Sequence, residues 1–172
     1  MKAYIAGSVA SGKTTLARKL SKILGIPCTH LDGVVHIKDN KNKEWGNVRR
    51  TDEEINKMFL NLINKPQWII EDSGRKIFDK GLEEANVIIY LKPSKFIRKK
   101  RIILRYFKQK LGLEDCLYTP SLHMLKFMFR ALDNYEKGID DLELRINQYK
   151  HKVINITNSM EMNEYISSMI EH

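Results

Sequence analysis

Gly7-Ser8-Val9-Ala10-Ser11-Gly12-Lys13-Thr14 decides how this chain is read. The octapeptide satisfies the spacing G-x-x-x-x-G-K-[ST] in full, with Thr15 following it. Each required residue type has a physical reason. Gly7 and Gly12 take backbone dihedrals closed to other residues. The amides of Ser8, Val9, Ala10 and Ser11 then turn inward and form an anion nest. A helix beginning at Lys13 presents its positive end to the bound anion. The Lys13 ammonium reaches the β- and γ-phosphates, and the Thr14 hydroxyl ligates magnesium. A chain of this length meets the pattern by accident roughly once in a hundred cases at ordinary glycine usage. Here an apolar strand over residues 2–6 precedes it, and Leu16, Leu20, Ile23 and Leu24 recur behind it at helical spacing. The residues therefore point to a bound nucleoside triphosphate with magnesium.

Outward from the loop, strands and helices alternate. Gly25 and Pro27 end the first helix. A second strand over 27–31 stops at Asp32-Gly33. Residues 36–50 are polar, basic and without periodicity, which predicts a loop or mobile flap. Thr51 and Glu54 form a capping box, and Ile55, Met58, Phe59, Leu62 and Ile63 mark one helical face up to Pro66. A third strand covers 68–71, a short helix 77–85 and a fourth strand 87–91. From Pro93-Ser94 a helix runs to Gly112, with Phe96, the Lys100 stem, Ile103, Leu104 and Phe107 as its expected core face. One or two helices over 121–149, broken at Gly138, a fifth strand over 152–156 and a helix over 160–170 complete the chain. The alternation predicts a single α/β domain over 1–172, its parallel sheet covered by helices on both faces. Ligands of such sheets sit at the carboxyl ends of the strands.

The 172 residues suffice for one core, since a domain of this size hides roughly 70% of its unfolded surface. Hydrophobic residues are 42% and charged residues 30%, a soluble globular composition. No apolar run is long enough for a membrane span. The start resembles a leader, but Lys13, Arg18 and Lys19 follow the short apolar run at once, so none is expected. Cys28 and Cys116 have no metal spacing and predict a reduced, cytoplasmic protein. The net charge of +9 favours anionic partners without choosing among them.

Three acidic residues fall where the strands end. Glu71 closes the apolar run of the third strand and Asp72 opens the loop behind it; either suits the magnesium shell, and Glu71 is preferred. Asp32 would bind an acceptor hydroxyl and take its proton, or serve as an Asp-Gly turn residue. His30, two residues earlier, reads as an ordinary core or surface histidine. Arg75 is a candidate anion contact.

Residues 92–110 carry nine basic residues and no acid, a local excess equal to the net charge of +9. Arg98, Arg101, Arg105 and Lys108 are spaced on one helical face. They read as a lid over about 94–112 whose arginines neutralise a triphosphate, as a nucleic-acid surface, or as a solvated face. Only Tyr106 and Phe107 interleave with the charges, which is thin for a base-stacking platform.

Taken in order, the loop with Leu16-Ala17-Arg18-Lys19-Leu20, then His30-Leu31-Asp32, Trp68-Ile69-Ile70-Glu71, residues 87–91 with Pro93, and Arg101 and Arg105 resemble the nucleoside and nucleotide kinase branch of the P-loop proteins, which holds adenylate and shikimate kinases. More narrowly, the pattern is similar to the adenylate kinase-like group labelled DNA topology modulation protein, or FlaR-related. The resemblance implies a three-layer α/β/α fold with strand order 2-3-1-4-5, ATP as donor, Mg2+, and an arginine-rich helical lid. Adenylate kinases carry an arginine four residues after the acid in the corresponding loop, which supports Arg75. The chain departs at Glu71-Asp72, where relatives show Asp-Gly, and in its lysine- and asparagine-rich 36–50. The expected activity is γ-phosphoryl transfer from ATP to a small acceptor, a nucleoside or nucleotide among the candidates. Lys13, Asp32, Arg101 and Arg105 would be catalytic, with Thr14 and Glu71 or Asp72 at the metal. The alternative is a nucleotide-gated DNA-binding protein. A guanine-specific site is not expected, because Asn64-Lys65-Pro66-Gln67 fails the Asn-Lys-x-Asp signature at its fourth position.

Overall fold

A computed structural model describes residues 1–39, 41, 42 and 44–170. Five parallel strands form the central sheet: β1 (Lys2–Gly7), β2 (Cys28–His30), β5 (Trp68–Asp72), β6 (Val87–Leu91) and β7 (Val153–Ile156). Their spatial order is β2-β5-β1-β6-β7. Counting only the strands of this sheet, that is the expected order 2-3-1-4-5; the label numbers differ because a separate hairpin intervenes.

Alternation along the strands builds two cores. Ala3 and Ile5 of β1, Ile69 of β5, and Ile89 and Leu91 of β6 face α1 (Lys13–Leu24) and α8 (Ser159–Ser168), meeting Leu16, Leu20 and Ile166. Tyr4 and Ala6, Trp68 and Ile70, and Ile88 and Tyr90 face the other way. They pack on α2 (Leu31–Val35), α3 (Asp52–Ile63), α4 (Asp79–Glu84) and α7 (Leu142–Asn147) through Val34, Ile55, Phe59, Leu82 and Ile146. Burying each such branched or aromatic side chain contributes about 1.5–3 kcal/mol. The fit is tight at Gly81, where an added Cβ would lie 2.8 Å from Tyr4 and 2.9 Å from Phe59.

Two expectations need correction. Residues 36–50 are not simply a loop: β3 (His36–Lys38) and β4 (Asn47–Arg49) pair antiparallel, His36 opposite Arg49. The strands are too short to show a period in sequence. Asn40 and Lys43 of this segment lie outside the described residues, as do 171 and 172 at the end of the chain. The hairpin tip rests on the segment that follows α5 (Lys95–Lys110) and on α6 (Leu122–Glu136). The Trp45 carbonyl accepts from the Thr119 amide at 2.9 Å, and the Trp45 ring meets His123 and Phe127 edge-on. The second correction concerns α5. Its expected core face is exposed, whereas Arg98, Ile102, Tyr106 and Gln109 are buried. The helix turns Arg98 and Arg101 inward because Glu136 and the loop carbonyls satisfy them there.

Candidate functional site

The turn after β1 is shaped by backbone geometry. At Gly7, with φ 150°, a Cβ would stand 2.6 Å from the Leu91 carbonyl oxygen, so β6 leaves no room for a side chain. Gly12 at φ 106° and Ala10 at φ 58° take left-handed dihedrals, the kind of backbone from which an anion nest is built. Lys13 Nζ donates to the Ser8 carbonyl at 2.8 Å, holding the ammonium over the nest. Burial draws the Lys13 pKa below the usual lysine range, opposed by the charges of Glu71, Asp32 and Asp72. Ser11 Oγ is buried without a hydrogen-bond partner among the described residues. Thr15 is exposed on α1. Side chains of Thr51, Ser94, Ser121 and Asn158 cap α3, α5, α6 and α8. Helix α1 has Gly12 at its cap position, no side-chain cap and no acid in its first turn.

Strand parity separates the two adjacent acids. Glu71 shares the α1 side of β5 with Ile69, and Thr14 Oγ1 donates to Glu71 Oε1 at 3.0 Å. The same oxygen lies 2.9 Å from His30 Nδ1, because His30 stands opposite Glu71 in the β2–β5 register. Burial would raise the Glu71 pKa, but the His30 hydrogen bond and the Lys13 charge hold it below the usual carboxylate range. Asp72 points to the other face and is fully engaged. It accepts from the amides of Gly74 and Arg75 at 2.6 Å each and pairs with the Arg75 guanidinium. Arg75 reaches across to Asp32 with its other nitrogen. Crowding by the cleft would raise Asp32; the charge and hydrogen bond of Arg75, with Lys13 behind, outweigh it and hold Asp32 low. Asp32 itself lies in the first turn of α2 rather than on a strand.

Two hard oxygen donors, Thr14 Oγ1 and Glu71 Oε1, thus adjoin the phosphate cradle. Among the described residues no group of three or more His, Cys, Asp or Glu side chains is arranged to hold a metal. One hydroxyl and one carboxylate completed by phosphate oxygens and water is the donor set that suits magnesium. These residues fit that ion.

The inner face of α5 closes the other side of the loop. Arg101 donates to the carbonyls of Ser11 at 2.9 Å and Ala10 at 3.2 Å. Arg98, buried, donates to Ser8 Oγ at 2.6 Å, pairs with Glu136 of α6 and stacks over Tyr135 at 4.8 Å. Arg105 is not at the loop; it pairs with Glu114 at 2.7 Å. His30 is a residue at the site to which the sequence assigned no role, and strand parity with Glu71 is its signal. Arg98, read from its helical spacing as one of the lid arginines, instead fastens the helix to Ser8 and Glu136.

A shikimate kinase from Bacteroides thetaiotaomicron superposes with a TM-score of 0.56, covering 98% of this chain and 96% of its own at 13% identity. The chain has the fold of the P-loop kinases. A gluconokinase from Sinorhizobium meliloti 1021 matches with a TM-score of 0.51 over 99% of this chain and 89% of its own, at 13% identity. A deoxyadenosine kinase from M. mycoides, solved with bound dATP, matches at 0.50 over 99% and 96%, at 16% identity. No family model matches the sequence, and no curated protein matches it either.

Proposed function

We propose that the chain is an ATP-dependent phosphotransferase acting on a small hydroxyl-bearing acceptor. The observation that carries this reading is the convergence of Lys13, Thr14 and Glu71 with the Asp32–Arg75 pair at the carboxyl ends of β1, β2 and β5. In this reading the loop amides and Lys13 bind the triphosphate. Thr14 and Glu71 hold magnesium, directly or through water, and Asp72 fixes the loop that presents Arg75. Magnesium would neutralise charge on the transferring phosphoryl group. Asp32, kept ionised by Arg75, accepts the proton of the acceptor hydroxyl. The acceptor oxygen bonds to the γ-phosphorus as the bond to the β–γ bridging oxygen breaks, and ADP leaves. Arg101, already at the loop, moves from backbone carbonyls to the phosphoryl oxygens. Arg105 would join it only by releasing Glu114.

In this reading residues 36–50 are a flap whose tip, through Trp45, rests on His123 and Phe127 of α6. The rival reading, a nucleotide-gated DNA-binding protein, loses support from the orientation of α5, whose Arg98 and Arg101 point to the phosphate loop. The test is ATP consumption across a panel of nucleosides, nucleotides and small hydroxyl acids, with Lys13→Ala as control. Turnover with at least one acceptor, abolished in the variant, is expected. Unchanged turnover in Lys13→Ala would sink the assignment.

A further inference from the structure

The outer face of α5 is built the wrong way round for a helix whose only role is to close a site. Phe96, Ile103, Leu104, Phe107 and Leu111 are 77, 43, 50, 56 and 71% exposed. At 100° per residue these five fall within one outward sector, with Lys100 among them. The stripe extends along a helix of 16 residues, about 24 Å long. It continues round Gly112 to Leu113, which is 74% exposed. Lysines border it on both sides, Lys99 and Lys110 on one and Lys108 on the other. None of these lysines, nor Lys100, pairs with an acidic residue among those described, in contrast to Lys95, which pairs with Asp133 at 2.7 Å. No acidic residue lies between Lys95 and Lys110.

We propose that this face docks α5 along the surface of an anionic lipid bilayer. The charge pattern chooses the occupant. A second copy of the chain related by a two-fold axis would set the same unpaired lysines against one another with no acid on the face to offset them. Nucleic acid would satisfy the lysines but leave the phenylalanines and leucines against phosphates. An anionic bilayer answers both halves. Phe and Leu enter the boundary between headgroups and acyl chains, while the lysine stems let their ammonium groups reach the headgroups. Each lysine near such a surface adds attraction that salt screens. No helix among the described residues is long and apolar enough to cross a membrane, so the contact lies in the plane of the surface.

The experiment is sedimentation of the full chain with sucrose-loaded vesicles, either of phosphatidylcholine alone or with a third of the lipid replaced by phosphatidylglycerol. Binding to the phosphatidylglycerol vesicles, lost at high salt and weak on phosphatidylcholine alone, is expected. Leu104→Ser/Phe107→Ser should reduce the partition coefficient by about tenfold or more, the share of two inserted side chains. Lys100→Glu/Lys108→Glu should reduce it while abolishing its salt dependence. Both pairs are outside the phosphate loop, and circular dichroism melts should show both folded. Absence of binding to either vesicle overturns the proposal. So does equal binding to both vesicles. Self-association that Phe107→Ser abolishes, or retention on duplex DNA in place of vesicles, overturns it in favour of the other occupants. None of these readouts uses ATP, so failure here leaves the phosphotransferase reading untouched, and the converse holds.

Discussion

Replacing Arg98 by Met tests how α5 is fastened to the phosphate loop. The substitution keeps most of the buried stem and removes the guanidinium. Three contacts go with it: the 2.6 Å bond to Ser8 Oγ, the pair with Glu136, and the stacking on Tyr135. Removing one partner of a buried pair costs about 3–5 kcal/mol, because the other charge is left unpaired. The Glu136 side chain is 29% exposed, so water recovers part of that loss. A destabilisation of about 2–3 kcal/mol is the reasonable figure after this discount. For a chain of this size it corresponds to a fall in Tm of about 4–12 °C. Urea unfolding followed by circular dichroism gives the free energy directly, and the slope against urea should not change. Adding Glu136→Gln to Arg98→Met should recover part of the loss, since the orphaned charge disappears. If Arg98→Met unfolds at the wild-type urea midpoint, the guanidinium is not holding the helix to the loop, and the account of α5 as an inverted helix fails.

Other consequences are open to measurement. Glu71 and Asp32 both titrate below the ordinary carboxylate range in the folded state. A depressed folded pKa stabilises at pH values above the unfolded one, about 4, and the contribution is lost as pH falls through the folded values. Melting temperature should therefore hold down to about pH 5 and drop below 4, and Glu71→Gln should flatten that drop; an unchanged acid limb would contradict it. Gly81→Ala drives a Cβ into Tyr4 and Phe59, which should cost about 1–3 kcal/mol by overpacking and show as a lower urea midpoint. Gly46→Ala meets the Thr119 amide at 2.5 Å from a φ of 72°, so it should loosen the hairpin tip. Faster proteolysis within 36–50, with hydrogen-exchange protection of the five-stranded central sheet unchanged, is the expected signature.

The fold was readable because punctuation and period agreed at most elements. Gly25 and Pro27 ended α1, Thr51 and Glu54 opened α3, and the apolar runs of β5 and β6 had strand length. The choice between Glu71 and Asp72 was also within reach. Tyr4, Trp68 and Ile70 face one way and Ile5 and Ile69 the other, and this alternation sends Glu71 to Thr14 and Asp72 to Arg75. His30 follows from the same parity, but only once β2 is known to lie beside β5, which is a tertiary fact. The orientation of α5 was not readable. Its apolar stripe is the stronger amphipathic signal, and nothing local reveals that Ser8, Glu136 and the loop carbonyls wait for the arginines. The hairpin was hidden for a different reason: strands of three residues bury too little to impose alternation.

Gly12 at the head of α1 has a bearing on how this chain should be engineered. A side-chain cap at that position would ordinarily add about 1 kcal/mol to a helix. The left-handed backbone at Gly12 forbids one, and a carboxylate there would stand where a phosphate is to be received. The usual repertoire of stabilising changes therefore has to be spent elsewhere. The exposed β7 edge is free to change, while the first turn of α1 is better left unimproved. A consensus or design protocol that ranks substitutions by apo stability alone would select against the property that makes the loop useful.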